Sequence, residues 1–203
     1  MDKLIVIEHM DKVFGNYKAI DDLSFSLEGG KIYGMIGPNG AGKSTLYMTT
    51  HYKDMMPRVN TDEILREFGD WRNTSDLMKA GRIAVERLNS YLSEGITFNQ
   101  ETTLCGHSIL RTIYRAKQLG YVIELHYVCV DSPAIAKKRI AERVKMGGHG
   151  IPDKDVEKRF GESLRNLHKI IDFCDLAALY DNTDEFRRFA IYKNGQRIRV
   201  SKI

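Results

Sequence analysis

The chain is poor in cysteine, and the three it has, Cys105, Cys129 and Cys174, form no CxxC pair and no Cys/His ligand spacing. Their odd number and wide separation exclude a disulfide framework and supply no zinc site, which fits a reducing, cytoplasmic compartment. The basic-then-apolar opening of a secretory leader is missing. No apolar run reaches membrane-spanning length, and Glu124 interrupts the longest. A soluble chain without a membrane partner is expected. Neither sign of charge dominates, since 31 Lys and Arg against 27 Asp and Glu leave a formal net charge of +4. That balance tolerates an anionic substrate and is too weak to argue for nucleic acid, which is not expected as a partner; the basic clusters Lys137–Lys145 and Arg187–Lys202 read as a nucleic-acid surface or as solvated faces. Internal repeats and low-complexity stretches are also lacking. With 203 residues, 42% of them hydrophobic and 29% charged, the chain is long enough for one buried core and too ordinary in composition to be disordered.

Three β-like runs come first, "LIVIEH", "LSFSL" and "KIYGMI", separated by the turn signals "GNYK" and "EGG", which predicts an antiparallel entry. From Lys31 onward strand, glycine loop and helix alternate in the rhythm of a parallel sheet. Leu77, Ala80, Ala84, Leu88 and Tyr91 are spaced to bury one face of a helix over Ser75–Ser93. "ITFNQET" reads as a strand, Gly106–Leu119 as a helix and "YVIELHYVCV" as another strand. "DSP" puts Ser132 at an N-cap and Pro133 at the first position of a helix that Lys137–Met146 completes. After the "GGHGIP" break, Val156, Phe160, Leu164, Leu167 and Ile171 mark an amphipathic helix from Asp153 to Phe173. In "FAIYKNGQRIRV", Asn194–Gly195 between two strand-type runs signals a β-hairpin.

"GPNGAGKS", Gly37 to Ser44, completes the pattern G-x-x-x-x-G-K-[ST] between an apolar strand and a helix. Glycines let successive backbone N–H groups turn toward phosphate oxygens. Lys43 reaches the terminal phosphates and Ser44 can ligate magnesium. Gly37, Pro38, Asn39, Gly40, Ala41, Gly42, Lys43, Ser44 and Thr45 are therefore the candidate cradle for ATP with Mg2+. The expected fold is α/β, of the P-loop NTPase or kinase type. It has a mostly parallel sheet flanked by helices, an N-terminal antiparallel β segment (1–30) in the same unit, and a C-terminal hairpin closing the 31–203 domain.

The run from Val13 to Leu46, "VFGNYKAIDDLSFSLEGGKIYGMIGPNGAGKSTL", resembles the opening of an ABC-type ATPase. That resemblance implies an antiparallel lobe and an aromatic, near Phe14, stacked on adenine; a core or turn position is the other reading of Phe14. It stops after the Walker A motif. "LCGHS" at Leu104–Ser108 keeps one glycine of that family's signature, and Asp131 is followed by Ser132 where an acidic residue orienting water would stand.

From the phosphate loop to Asn182 the chain resembles the zeta toxin family, P-loop kinases that phosphorylate UDP-N-acetylglucosamine. Ordered blocks carry the resemblance: "GPNGAGKSTL", "RVNTDEI", "AGR.A..R", "G.TFNQETTLCG", "GY.IEL.YV", "RI.ERVKMGGHGIP", "RF.ESLRNL" and "YDN". It implies transfer of the ATP γ-phosphate to a sugar hydroxyl of a nucleotide sugar, and an antitoxin protein as partner. "RVNTDEI" reads as a strand ending in Asp62 at the carboxyl edge of the sheet, where open α/β folds bind ligands. The resemblance makes Asp62 the base that deprotonates the acceptor; the alternative is a helix cap. It assigns Glu101 and Thr103 to the acceptor sugar, although Glu101 also reads as a helix-start carboxylate. It makes Arg143 and Arg159 lid residues that stabilise charge during transfer, with Lys43. Arg139 and Arg165 read equally as solvated, His149 as a shaper of the glycine loop, and Trp71 as packing. An ABC-type ATPase fragment and a nucleotide-binding protein without catalysis are the alternative functions.

Overall fold

A strand that is apolar along its whole length fits only where both faces of a sheet are covered. β6 (Val122–Cys129) is close to such a strand, buried at every position except its two ends, with the polar Glu124 and His126 paired with each other at 3.1 Å. The computed structural model describes residues 3–14, 17–28, 31–49 and 56–200, and side chains from Gly34 onward except those of 35, 45, 48, 49, 199 and 200. Within this range β6 lies at the middle of a seven-stranded sheet. The other members are β3 (Lys31–Ile36), β4 (Arg58–Asn60), β5 (Phe98–Thr102), β7 (Leu176–Asp181), β8 (Arg187–Lys193) and β9 (Gln196–Val200). Their order is β4-β5-β3-β6-β7-β8-β9. The first five in that order pair in parallel, and β8 and β9 add antiparallel. β1 (Lys3–Phe14) and β2 (Tyr17–Glu28) pair antiparallel in a two-stranded sheet of their own, as the opening runs predict. The side chain of Phe14, and with it the adenine-stacking expectation, lies outside the described residues.

Helices cover both faces of the large sheet. On one side α3 (Thr74–Glu94) lays down Ala80, Ala84, Leu88 and Leu92, and α4 (His107–Gln118) lays down Ile109, Leu110, Ile113 and Ala116. They pack on Phe98, Ile123, Leu125 and Tyr127. On the other side α1 (Lys43–Thr49), α5 (Pro133–Lys145) and α6 (Asp153–Ile170) bring Leu46, Ala136, Ile140, Val156 and Phe160 against Val128, Ala178 and Tyr180. Each large apolar side chain fully removed from water contributes roughly 1.5–3 kcal/mol, before the cost of ordering it. The predicted hairpin forms, with Asn194 and Gly195 at φ 49° and 74°, the paired positive values that a two-residue turn between twisted strands requires.

Local expectations shift at four points. The strand in "RVNTDEI" ends at Asn60, not at Asp62: the Asn60 side chain accepts the Asp62 backbone N–H at 2.9 Å and caps α2 (Thr61–Arg66). Asp62 therefore stands in the first turn of a helix. Leu77 is 38% exposed rather than buried, because it faces the cavity described below. Leu164 is 43% exposed, and the neighbouring Ser163 takes the buried place, its hydroxyl 3.0 Å from that of Tyr127. A buried phenol needs a polar partner, and that need overrides the apolar spacing. The last turn predicted for this helix is a separate 3-10 turn, Ile171–Phe173.

Candidate active site

Parallel strands end their carboxyl edges together, and three of them meet here. β3 runs into the phosphate loop, β4 into α2, and β5 into Thr103. The loop returns closely on the sheet: Gly37 has φ 153°, and a Cβ there would stand 1.9 Å from the Val128 carbonyl oxygen. At Gly42, φ 97°, a Cβ would stand 2.4 Å from Nδ2 of Asn182. Only glycine fits either place. Ala41 is fully buried, Pro38 is buried, and Gly40 completes the turn at φ 78°.

Lys43 opens α1 and is 7% exposed; its ammonium donates to the carbonyls of Gly37 at 2.9 Å and Pro38 at 3.1 Å. Burial pushes its pKa below the ordinary value, while the carboxylates of Glu101 and Asp62 pull it back up. The Ser44 hydroxyl donates to both carboxylate oxygens of Glu101, at 3.1 and 3.3 Å. Glu101 also accepts from Asn60 Nδ2 at 3.2 Å and from the Arg58 guanidinium. Arg58 is held in turn by Glu63 at 2.6 Å and lies 3.4 Å from the Tyr47 ring centroid. The side chain of Thr45 lies outside the described residues.

A cavity of ≈ 760 Å³ opens over these strand ends. Of the residues expected at the site, Asn39, Lys43, Asp62, Glu101, Thr103 and Arg159 all line it. Arg143 is not among the residues that line it; it is half buried, with Nε and Nη2 making no hydrogen bond among the described residues. Burial lowers its pKa and Asp62 opposes the shift. Cys105 ties the β5 loop to α6 by donating to the Thr103 and Arg159 carbonyls at 3.4 and 3.3 Å. The loop after β7 is tied to α5 by Arg139, which donates to the Thr183 carbonyl at 2.9 Å and so is not a solvated residue. Arg165 is exposed. Trp71 packs on the loop at Gly150 and also lines the cavity.

Four residues of the arrangement went unassigned in the sequence. Arg58 and Asn60 lie in the quoted "RVNTDEI" block, and an Asn followed by Asp and Glu is a helix-start signal. Asn182 lies in "YDN". His149 faces Asp62, with Nε2 3.9 Å from Oδ1.

The donor set suits a nucleoside triphosphate. Nε and Nη2 of Arg143 make no hydrogen bond among the described residues, the Lys43 ammonium stands at the loop, and the loop glycines leave space where side chains would intrude. Among the described residues no group of three or more His, Cys, Asp or Glu is placed to hold a metal ion, so magnesium would rest on Ser44 and on phosphate oxygens. No helix among those residues is long and apolar enough to cross a membrane.

Residues 33–165 match the family model described as "AAA domain". An "uncharacterized protein" of Haemophilus influenzae is 32% identical over 124 residues, 61% of this chain and 88% of that protein. The energy-dependent translational throttle protein EttA of Escherichia coli (strain K12) is 54% identical over 46 residues, 23% of this chain and only 8% of that protein. Among solved structures, the AvrRxo1-ORF1:AvrRxo1-ORF2 complex with sulphate ions has a TM-score of 0.67 at 13% identity, covering 85% of this chain and 61% of that one. A structure of the PezAT chromosomal toxin-antitoxin system of Streptococcus pneumoniae has a TM-score of 0.51 at 16% identity, covering 77% of this chain and 70% of that one. Those likenesses place the sheet order and the phosphate loop in a P-loop kinase-like fold, and the match over 33–165 means that the chain belongs to the AAA domain family.

Proposed function

We propose that the protein is an ATP-dependent phosphotransferase that moves the γ-phosphate to a sugar hydroxyl of a nucleotide sugar such as UDP-N-acetylglucosamine. One observation carries the reading: Lys43, Asp62, Glu101, Thr103 and Arg159 share a single cavity at the carboxyl ends of parallel strands. An ATPase that acts on water alone needs no such second wall.

In this reading the phosphate loop and Lys43 bind the triphosphate, and Ser44, backed by Glu101, would hold magnesium. Bound magnesium supplies charge neutralisation between phosphates. Asp62 takes the proton of the attacking hydroxyl. Thr103 and Glu101 orient the acceptor, and Arg143 and Arg159 oppose the charge that spreads over the transferring group. Arg143 has free donors for that purpose. The likeness to a toxin-antitoxin structure supports an antitoxin protein as partner.

The test is incubation with ATP, magnesium and a panel of nucleotide sugars, with mass spectrometry of the acceptors. Phosphorylation of one panel member is expected. ATP hydrolysis with every acceptor unmodified would instead favour an ATPase, the reading that the EttA likeness over 46 residues supports.

A further inference from the structure

His149 stands on the loop between α5 and α6, between two glycines that the packing demands. A Cβ at Gly148 would stand 2.6 Å from Cγ of Arg143, and one at Gly150 would stand 2.6 Å from the Trp71 ring. The loop is thereby pressed between the end of α5 and the indole, and the imidazole meets that indole at 5.6 Å with a tilt of 53°. Its side chain is 11% exposed, against 37% for Asp62, and Nε2 points at the Asp62 carboxylate from 3.9 Å. One small side-chain movement or one water closes that gap, and such contacts tighten when substrate binds.

We propose that His149 completes a proton relay with Asp62, a role that rests on the phosphotransfer reading above. The acceptor O–H bond breaks while its oxygen bonds to the γ-phosphorus and the bond from that phosphorus to the ADP oxygen breaks. The proton passes to Oδ1 of Asp62, then to Nε2 of His149, and from the imidazolium to water. Ordinary imidazole is a stronger base than ordinary carboxylate by about two to three pH units, so the relay returns Asp62 to its charged form for the next turnover.

Receiving a proton at Nε2 requires the neutral ring with its hydrogen on Nδ1. The groups around it favour the neutral ring. Burial lowers its pKa, Asp62 on α2 opposes this, and Arg143 on α5, Arg66 on α2 and Arg159 on α6 add to the lowering. Lys43, Arg72, Glu101 and Asp155 are the other charged residues lining the cavity. The neutral ring therefore extends to lower pH than in a free imidazole, and the relay fails as pH falls through the lowered pKa.

The experiment follows transfer from ATP, with magnesium, to UDP-N-acetylglucosamine by wild type and H149Q from about pH 5 to 9. H149Q is expected to lose about tenfold in kcat, less than the ~10²–10⁴ of direct proton transfer, with KM for ATP unchanged. It should also lose the acid limb that His149 imposes. A second measurement follows the His149 ring protons by NMR in wild type and D62N. Removing the carboxylate that raises its pKa should move the imidazole titration to lower pH. H149Q matching wild type in rate at every pH, or a titration that D62N leaves in place, overturns the relay alone. A wild type that transfers to no nucleotide sugar sinks the phosphotransfer reading and the relay with it.

Discussion

Asn182, at the end of the last parallel strand, donates its side-chain amide to the Ala41 carbonyl at 2.8 Å across a sequence separation of 141 residues. Its own backbone N–H donates to the Cys129 carbonyl at 2.9 Å, so the phosphate loop is fastened to β6 and β7 from behind. Asn182→Ala should raise KM for ATP several-fold with a smaller change in kcat, and should cost about 1 kcal/mol of stability for the lost bond. Steady-state kinetics and urea unfolding check both. An unchanged KM would mean that the loop keeps its shape without this anchor.

Lys43→Ala should abolish turnover while leaving the fold intact, because a buried ammonium that is already costly to desolvate is removed. The measurement is phosphotransfer beside a thermal melt. Normal transfer by this variant would refute the phosphate-loop assignment.

Asp62→Asn keeps size and removes basicity, so about two or more orders of magnitude in rate should be lost with ATP binding retained. In the proposed reading Arg143→Ala should likewise lower kcat more than ATP affinity, since Nε and Nη2, which make no hydrogen bond among the described residues, would serve charge that develops during transfer. Nucleotide titration alongside single-turnover rates separates the two effects. A tenfold loss of ATP affinity in D62N, with kcat unchanged, contradicts the base assignment.

Arg58 lies between two carboxylates, and its side chain is 7% exposed. Arg58→Met should destabilise the protein by about 3 kcal/mol, because Glu101 is left buried without its cation. The double variant with Glu101→Gln should recover part of that loss. Urea midpoints at constant m-value measure the coupling.

Burial pushes the Cys129 and Cys174 thiols up to about 12, from an ordinary 9.0. Three pKa units leave roughly a thousandth of the ordinary thiolate, so both should resist alkylation near pH 8 in the native protein. Mass spectrometry after timed iodoacetamide treatment, native against urea-unfolded, tests this. Equal labelling in the two states would contradict the burial seen here.

What could be read in the sequence was what the chain determines over short distances. Gly37 to Ser44 announced the phosphate loop because every residue of the motif serves one turn, and Asn194–Gly195 announced the hairpin for the same reason. Asp62 was found as a cavity residue, but it stands inside the first turn of α2 rather than at a strand end or as the helix cap, because the strand stops at Asn60, whose side chain supplies that cap. Leu77 and Leu164 follow helical spacing, but a cavity and a buried phenol decide where each one points. Arg58, Asn182 and His149 gain their meaning from groups far away in the chain, and no local pattern marks such a meeting.

The sheet order also carries a consequence for the ribosome. β3 is flanked by β5 and β6, neither of which exists when it emerges. At about 5–20 residues per second, synthesis from Ile36 to Phe98 leaves roughly 3–12 s in which this strand has two open edges. Those edges are templates for pairing with another nascent chain. The β1–β2 hairpin, made entirely of nearby contacts, is complete by then, whereas the phosphate loop waits for Asn182. A ribosome-bound chain truncated before Asn182 should therefore hold a hairpin and a loose loop, and the phosphate loop is fastened only once Asn182 has emerged.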